Sequence, residues 1–271
     1  LYTYREQLAA TGVLIVGPNS TFLEYISRVL PELGETGVVL STIASLFPGI
    51  DATHPESLLA REIKGSEAMA EILSNAVKDY QCLPEEPRVI DIDRLELTVT
   101  ADMVKAARTR ARRSRKPHND AQGAFAEHLI ESLAQQMAER IGADPLGGAN
   151  LLSRADVDQL HDDLAEEPLI TDLVDEFWPH LSPTEVLAEL LSNRERIDSA
   201  ASAYDEETRG ALYRVNGTAW AASDAALLDE LAVLIGMPDP EAERAAEDRQ
   251  WREQVAEAED ALDILSSSDS T

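Results

Sequence analysis

Asp229 and Glu230, preceded by Ala225-Ala226-Leu227-Leu228, form the one stretch whose residue types and spacing match a phosphoryl-transfer motif. In a Walker B motif an apolar run leads into Asp-Glu, the Asp holding Mg2+ and the Glu orienting water. That chemistry requires a β-strand to deliver the pair to the phosphates. Here Ser223-Asp224 opens the run as a helix start, and Leu231, Leu234 and Ile235 continue a helical face, so the stretch reads as a core helix. The sequence contains no Gly-x-x-x-x-Gly-Lys-Ser/Thr phosphate loop, no His-Glu-x-x-His, no Gly-x-Ser-x-Gly and no Cys-x-x-Cys. The histidines His54, His118, His128, His161 and His180 are scattered, and the neighbours in His161-Asp162-Asp163 point in different directions on a helix. We expect neither a catalytic residue nor a metal ligand set in this chain.

Charge offers a second kind of chemistry. The chain carries 23 basic and 51 acidic residues, a formal −28, and such a surface repels nucleic-acid phosphates over most of its area. It suits solubility alone or docking onto a basic partner. Against that background Lys105, Arg108, Arg110, Arg112, Arg113, Arg115 and Lys116 give net +6 over residues 101–116. Two readings of this run stand side by side. It contacts nucleic acid or an acidic partner surface, or it is a solvated helix end whose cations complement the helix dipole. Residues 237–271 are the opposite extreme, with 11 acids against 3 Arg and at most one exposed helix around 241–265. Trp178 and Trp220 stand in apolar context and read as core, whereas Trp251 in the acidic segment reads as a partner anchor.

The elements that must position these residues can be traced along the chain. Residues 1–10 read as a helix ended by Thr11-Gly12, and Val13-Leu14-Ile15-Val16 as a buried strand. Gly17-Pro18-Asn19 breaks it, and Ser20 or Thr21 caps a helix from Phe22 to Leu33. Val38 to Ile43 is a second β-prone run, so the first 50 residues follow the α-β-α-β rhythm of a doubly wound sheet whose other strands must come from elsewhere. From His54 helices take over. Pro55 to Tyr80 reads as one helix, and Arg88 to Thr100 as a hairpin turning near Asp93-Arg94, with Val89, Leu95, Leu97 and Val99 as its apolar set. Thr100 caps the helix that runs into the basic stretch, and Asn119 to Ile141 is a long helix ended by Gly142. Ser153 to Asp156 and Ser182 to Glu185 read as capping boxes, with a helix over Leu169 to Trp178 between them. Helix continues through Asp205 to Val215, and Ser223 caps Asp224 to Ile235, which Gly236 stops.

With 44% hydrophobic residues the chain can bury a substantial core, and 271 residues suffice for one large domain or two ordinary ones. Its apolar runs are shorter than the roughly 20 residues of a membrane span, no secretory signal is visible, and the single Cys82 has no disulfide partner. These features lead us to expect a soluble, cytoplasmic protein. Leu1 opens the chain without an initiator Met, in mid-helix, and Ser266 to Thr271 ends it in a loop-like run, so we expect a piece of something longer.

An ordered set of short motifs carries a resemblance. Gly12 to Asn19, Phe22 to Ile26, Val29-Leu30-Pro31, Leu33-Gly34-Glu35 and Val38 to Thr42 resemble the HelD family of superfamily-one helicases, related to UvrD and Rep. Arg113 to Asn119, Phe177 to Pro179 with Leu181 to Pro183, and Leu227 to Glu230 with Leu234 to Gly236 resemble later landmarks of that family in the same order. The resemblance implies a mostly α, mixed fold: part of a RecA-like α/β P-loop domain interrupted by a large helical clamp-opening insertion with a small β-hairpin. Residues 1–53 would belong to the first RecA-like domain, 54–217 to the insertion, 218–236 to a return helix and 237–271 to the start of an acidic primary-channel loop. Gly17, Pro18, Asn19 and Thr42 would be nucleic-acid-facing positions of motifs Ia and Ib. The basic run would bind a partner, as would Glu257, Glu259, Asp260, Asp263 and Asp269 of the acidic loop.

The implied activity is that of an ATP-dependent motor that binds bacterial RNA polymerase core, opens its clamp and displaces nucleic acids. ATP or GTP and Mg2+ would bind elsewhere in the full-length protein, with the phosphate loop just upstream of Leu1, and this segment would be inactive alone. The implied partner is polymerase core, with DNA or RNA as a further candidate and no membrane. Two rivals remain open. One is a conventional UvrD/Rep-like DNA helicase whose helical insertion binds duplex DNA; the other is a helical interaction protein without a motor.

Overall fold

Two apolar runs pair side by side at the start. In the computed structural model, which describes residues 13–32, 38–50, 52–144, 146 and 148–237, β1 (Val13–Gly17) lies parallel to β2 (Val38–Thr42), in register from Val13↔Val38 to Gly17↔Thr42. Between them runs α1 (Ser20–Glu32). Its start is set by Asn19, whose side-chain oxygen accepts from the Phe22 N–H at 2.8 Å, and not by Ser20 or Thr21 as expected. Asn19 lies at the N-cap, where a short side-chain acceptor reaches an N–H that has no partner within the helix. Leu14, Val16 and Val39 stay exposed on one face of the pair. The buried strand expected at Val13 to Val16 is thus covered on one side only.

After Thr42 a short 3-10 turn (Ile43–Ser45) leads to Phe47, which enters the first of two hydrophobic cores. The single helix expected from Pro55 to Tyr80 is two: α2 (Leu58–Lys64) and α3 (Ala68–Lys78). Gly65 ends α2 by returning its N–H to Arg61 O, and the Ser66 hydroxyl caps the Ile63 carbonyl at 2.6 Å. A Gly-Ser pair satisfies the carbonyls that a continued helix would have used.

The β-hairpin forms as read: β3 (Arg88–Ile92) is antiparallel to β4 (Leu95–Val99), and Asp93 and Arg94 both have positive φ, 54° and 68°. Positive φ at both central residues is what a type I′ turn requires. Its inward face differs from the expected set. Ile90 pairs with Leu97 and Ile92 with Leu95, so the two isoleucines face the core and Val89 faces solvent. α4 (Ala101–Arg113) follows, capped by Thr100 Oγ1 on the Met103 N–H, and then α5 (His118–Ile141), closed by Gly142.

α6 (Arg154–Ala165) begins with the expected Ser153/Asp156 capping box, and α7 (Pro168–Phe177) follows. α8 (Pro183–Ser192) has proline at its first position, but no capping box forms: the Ser182 hydroxyl lies 3.0 Å from that of Thr184 instead. α9 (Arg194–Ala200), α10 (Glu206–Leu212) and α11 (Asp224–Ile235) complete the helices. Ser223 does not cap α11; its hydroxyl donates to Glu56 Oε2 at 2.6 Å.

Two cores result. One joins Phe47, α3, α8, α9 and α11 through residues such as Leu73, Leu187, Leu190, Leu228 and Leu231. The other joins the hairpin, α4, α5 and α7 around Leu97, Val104, Phe125, Leu133 and Trp178. Each fully buried leucine of this kind contributes about 1.5–3 kcal/mol. Helices on both sides of residue 217 share the first core. The second core is built from one contiguous stretch, entered after α3 and left before α8. The described residues are therefore mostly helical with two small sheets, and no described helix is long and apolar enough to cross a membrane.

Candidate partner-binding surface

α4 buries Val104, Ala107 and Ala111 against the second core, and that spacing turns its basic residues outward. The seven cations then divide. Arg108 Nη1 donates to the Gln81 carbonyl at 3.0 Å, and Arg112 Nε donates to Gln81 Oε1 at 2.8 Å. Burial, then the neighbouring Arg108 charge, depresses the Arg112 pKa. Lys105, Arg110, Arg113, Arg115 and Lys116 are exposed and make no ion pair among the described residues. Arg115 has φ 57°, in the turn that carries the chain from α4 to α5. Between the two helices an open groove of about 400 Å3 is lined by Lys105, Ala106, Thr109, Arg110, Arg113 and His128, with Asp102 as its single acid.

The two arginines tied to Gln81 belong to a chain of contacts. Gln81, itself buried, passes from Arg112 to His118: its side-chain nitrogen lies 3.1 Å from His118 Nδ1, while His118 Nε2 lies 2.7 Å from the Pro179 carbonyl. An amide nitrogen can only donate and a carbonyl can only accept, so the imidazole is neutral with its proton on Nε2. Burial holds the His118 pKa below its ordinary value, the Pro179 hydrogen bond opposing and the nearby His180 adding to the depression. The ring stacks on Trp178, centroids 4.8 Å apart, and Trp178 Nε1 donates back to the His118 carbonyl at 2.9 Å. Next to it, Asn119 exchanges hydrogen bonds with the Leu181 backbone and donates to Gly236 O. His118 thus clips the passage into the second core (Gln81) to the passage out of it (Pro179).

The positions expected to face nucleic acid gather elsewhere. Gly17 and Thr42 are register partners at the carboxyl end of the β1–β2 pair, with Pro18 and Asn19 directly following. Open α/β sheets use that end for ligands. Asn19 is occupied as the α1 cap, and Ser45 Oγ accepts from the Thr42 N–H at 3.0 Å. A Cβ on Gly17 would stand 2.5 Å from Leu23 Cδ2, so a larger residue there would have to displace the Leu23 side chain of α1.

No known protein family matches the chain, and no curated protein matches it either. The three stretches that carry the resemblance in the helical part, residues 113–119, 177–183 and 227–236, meet at the His118–Trp178–Asn119–Gly236 junction. Asp229 and Glu230 are exposed on α11, carried by a helix and not by a strand. The acids Glu257, Glu259, Asp260, Asp263 and Asp269, with Trp251, lie outside the described residues, as does the helix expected over 1–10. Among the described residues no His, Cys, Asp and Glu group is arranged to hold a metal ion.

A buried charge network escaped the sequence entirely. Asp224 is fully buried at the start of α11; Lys64 Nζ lies 2.7 Å from its Oδ1, and Arg214 donates to its Oδ2. Lys64 also reaches Glu56 Oε2 at 3.2 Å, and Arg214 donates to Gly217 O at 2.6 Å. Burial alone would raise both carboxyl pKa values. The Lys64 charge with the Ala221 and Arg214 hydrogen bonds outweighs it at Asp224, the Ser223 hydroxyl with Lys64 at Glu56, and both are held below the ordinary range. The side-chain partners are 8 to 167 positions apart, spacings at which no local pattern shows pairing.

Proposed function

We propose that this chain is the polymerase-docking part of a HelD-type motor that binds bacterial RNA polymerase core, opens its clamp and displaces nucleic acids. In this reading residues 1–53 contribute to a RecA-like domain, 54–217 form a helical clamp-opening insertion, 218–236 return to the motor and 237–271 begin an acidic loop for the primary channel. The observation that carries it is the parallel β1–α1–β2 unit. It leaves Leu14, Val16 and Val39 uncovered and is followed by a two-core helical body. Parallel strands are ordinarily buried on both faces, so a larger sheet is the natural setting for such a pair.

In this reading ATP or GTP and Mg2+ bind elsewhere in the full-length protein, and this chain contributes recognition and no chemical step. The unpaired cations of α4 support the second reading, a UvrD/Rep-like helicase gripping duplex DNA.

The deciding experiment is a pull-down of the chain with purified bacterial RNA polymerase core, at low and high salt, with duplex DNA as competing bait. Salt-sensitive retention of polymerase with no retention of DNA is the expected result. Retention of DNA alone would move the assignment to the conventional helicase.

A further inference from the structure

We propose that the groove between α4 and α5 receives a short acidic segment of a partner protein in preference to nucleic acid. This rests on the reading of the chain as a protein-docking module but not on which partner it docks. The first observation is selective pairing. In a chain with 51 acids, Lys105, Arg110 and Arg113 line one groove and make no ion pair among the described residues, while Arg108 and Arg112 on the same helix are tied to Gln81. The second is the groove's chemistry. Lys105 and Arg113 stand at i and i+8 on one helix face, about 12 Å apart, with Thr109 between them, its hydroxyl donating to the Lys105 carbonyl at 2.7 Å. Ala106 lies among them, and His128 sits at the α5 side with Glu131 Oε2 3.2 Å from its Nδ1.

The choice of ligand follows from reach. Cations from Lys105 to Arg113 span roughly 12 Å of helix, about one and a half Debye lengths at physiological salt. A short acidic segment can lie wholly inside that positive zone. A duplex extends past it into the field of a chain with net charge −28, where its phosphates are repelled. No Phe, Tyr or Trp lines the groove to stack a base, and its one ring, His128, lies beside Glu131, which limits the salt-independent gain that single-stranded nucleic acid would find.

The test uses the full chain with three fluorescent probes: a short peptide of alternating glutamate and aspartate, a short oligothymidylate and a short duplex, each titrated by anisotropy at low salt. We expect the peptide to bind most tightly, and the double variant R110E/R113E to weaken it by about tenfold or more, a change of about 1.4 kcal/mol. R154E, a charge reversal at the exposed start of α6, should leave it unchanged, and thermal melts should show both variants folded. Tighter binding of either nucleic acid overturns the proposal, as does peptide binding that survives R110E/R113E or is lost equally in R154E. Peptide binding that persists when polymerase is not retained would fault the polymerase assignment and leave the groove reading standing.

Discussion

Lys64 Nζ lies 2.7 Å from Asp224 Oδ1, and their side chains are 4% and 0% exposed. The pair joins α2 to the start of α11 across more than half the sequence, with Glu56 against Lys64 and Arg214 against Asp224. Taking one partner from such a pair leaves a charge that water cannot reach. The variant K64M is therefore expected to lose about 3–5 kcal/mol of unfolding free energy in urea. A loss below about 1 kcal/mol would mean that the pair is solvated and carries little.

The same network fixes a pH dependence. The Asp224 and Glu56 carboxyls have folded-state pKa values below their ordinary 3.8 and 4.5. A carboxylate with a depressed folded pKa contributes stability that is complete above the unfolded value and is lost as pH falls through the folded value. Urea midpoints should hold steady down to about pH 5 and drop below about pH 4. D224N should flatten that drop at the cost of a lower plateau. An identical acid limb in the variant would remove Asp224 from the explanation.

His118 is expected to remain neutral, with its proton on Nε2, through the range in which an exposed histidine titrates. The long-range nitrogen-proton correlation of its ring, recorded between about pH 5 and 8, reports this directly. Its depressed pKa signs the linkage the same way as for the carboxylates: its contribution is present above the unfolded pKa and fades as pH falls through the folded one. An Nδ1–H tautomer would contradict the Gln81 and Pro179 contacts.

The basic helix should separate into two classes of arginine. R112A leaves Gln81 Oε1 without a donor in a buried site and is expected to cost about 1–3 kcal/mol. R110A removes an exposed side chain that pairs with nothing described and should change stability by no more than about 0.5 kcal/mol. Equal effects in thermal or urea unfolding would merge the classes.

At the hairpin, Arg94 holds φ 68° in a turn that favours glycine. R94G relieves a left-handed strain of roughly 1–2 kcal/mol, offset by about 0.4–1 kcal/mol of added freedom in the unfolded chain. A net gain of about 0.5–1 kcal/mol in the unfolding free energy measured in urea is expected, and a loss would show that the arginine side chain itself stabilises the turn.

What was legible in the sequence was local. Val13 to Val16 and Val38 to Thr42 announced strands because apolar runs bounded by glycine have few other uses, and Asp93-Arg94 announced a turn between alternating residues. Thr100 and Ser153 announced caps that form. Errors arose where two local solutions competed. Gly65-Ser66 looked tolerable inside a helix and split it; Ser182 and Ser223 looked like caps and found hydroxyl or carboxylate partners instead. Val89 was placed on the wrong face because register against β4, and not alternation alone, decides which residues turn inward. The division of the basic run into committed and free arginines depends on Gln81, some 30 residues away, and no spacing rule reaches that far.

The second core has one doorway. The chain enters it beside Gln81 and leaves it at Pro179, and a single imidazole touches both thresholds. A stretch attached in this way is a cassette. It can be shortened, exchanged or grafted at that doorway without rerouting the helices of the first core, because a few residues bridging the gap would restore continuity. Lineages could therefore vary what is displayed on the α4–α5 face while leaving its mount alone. The residues that keep the doorway shut would then be the slowest to change.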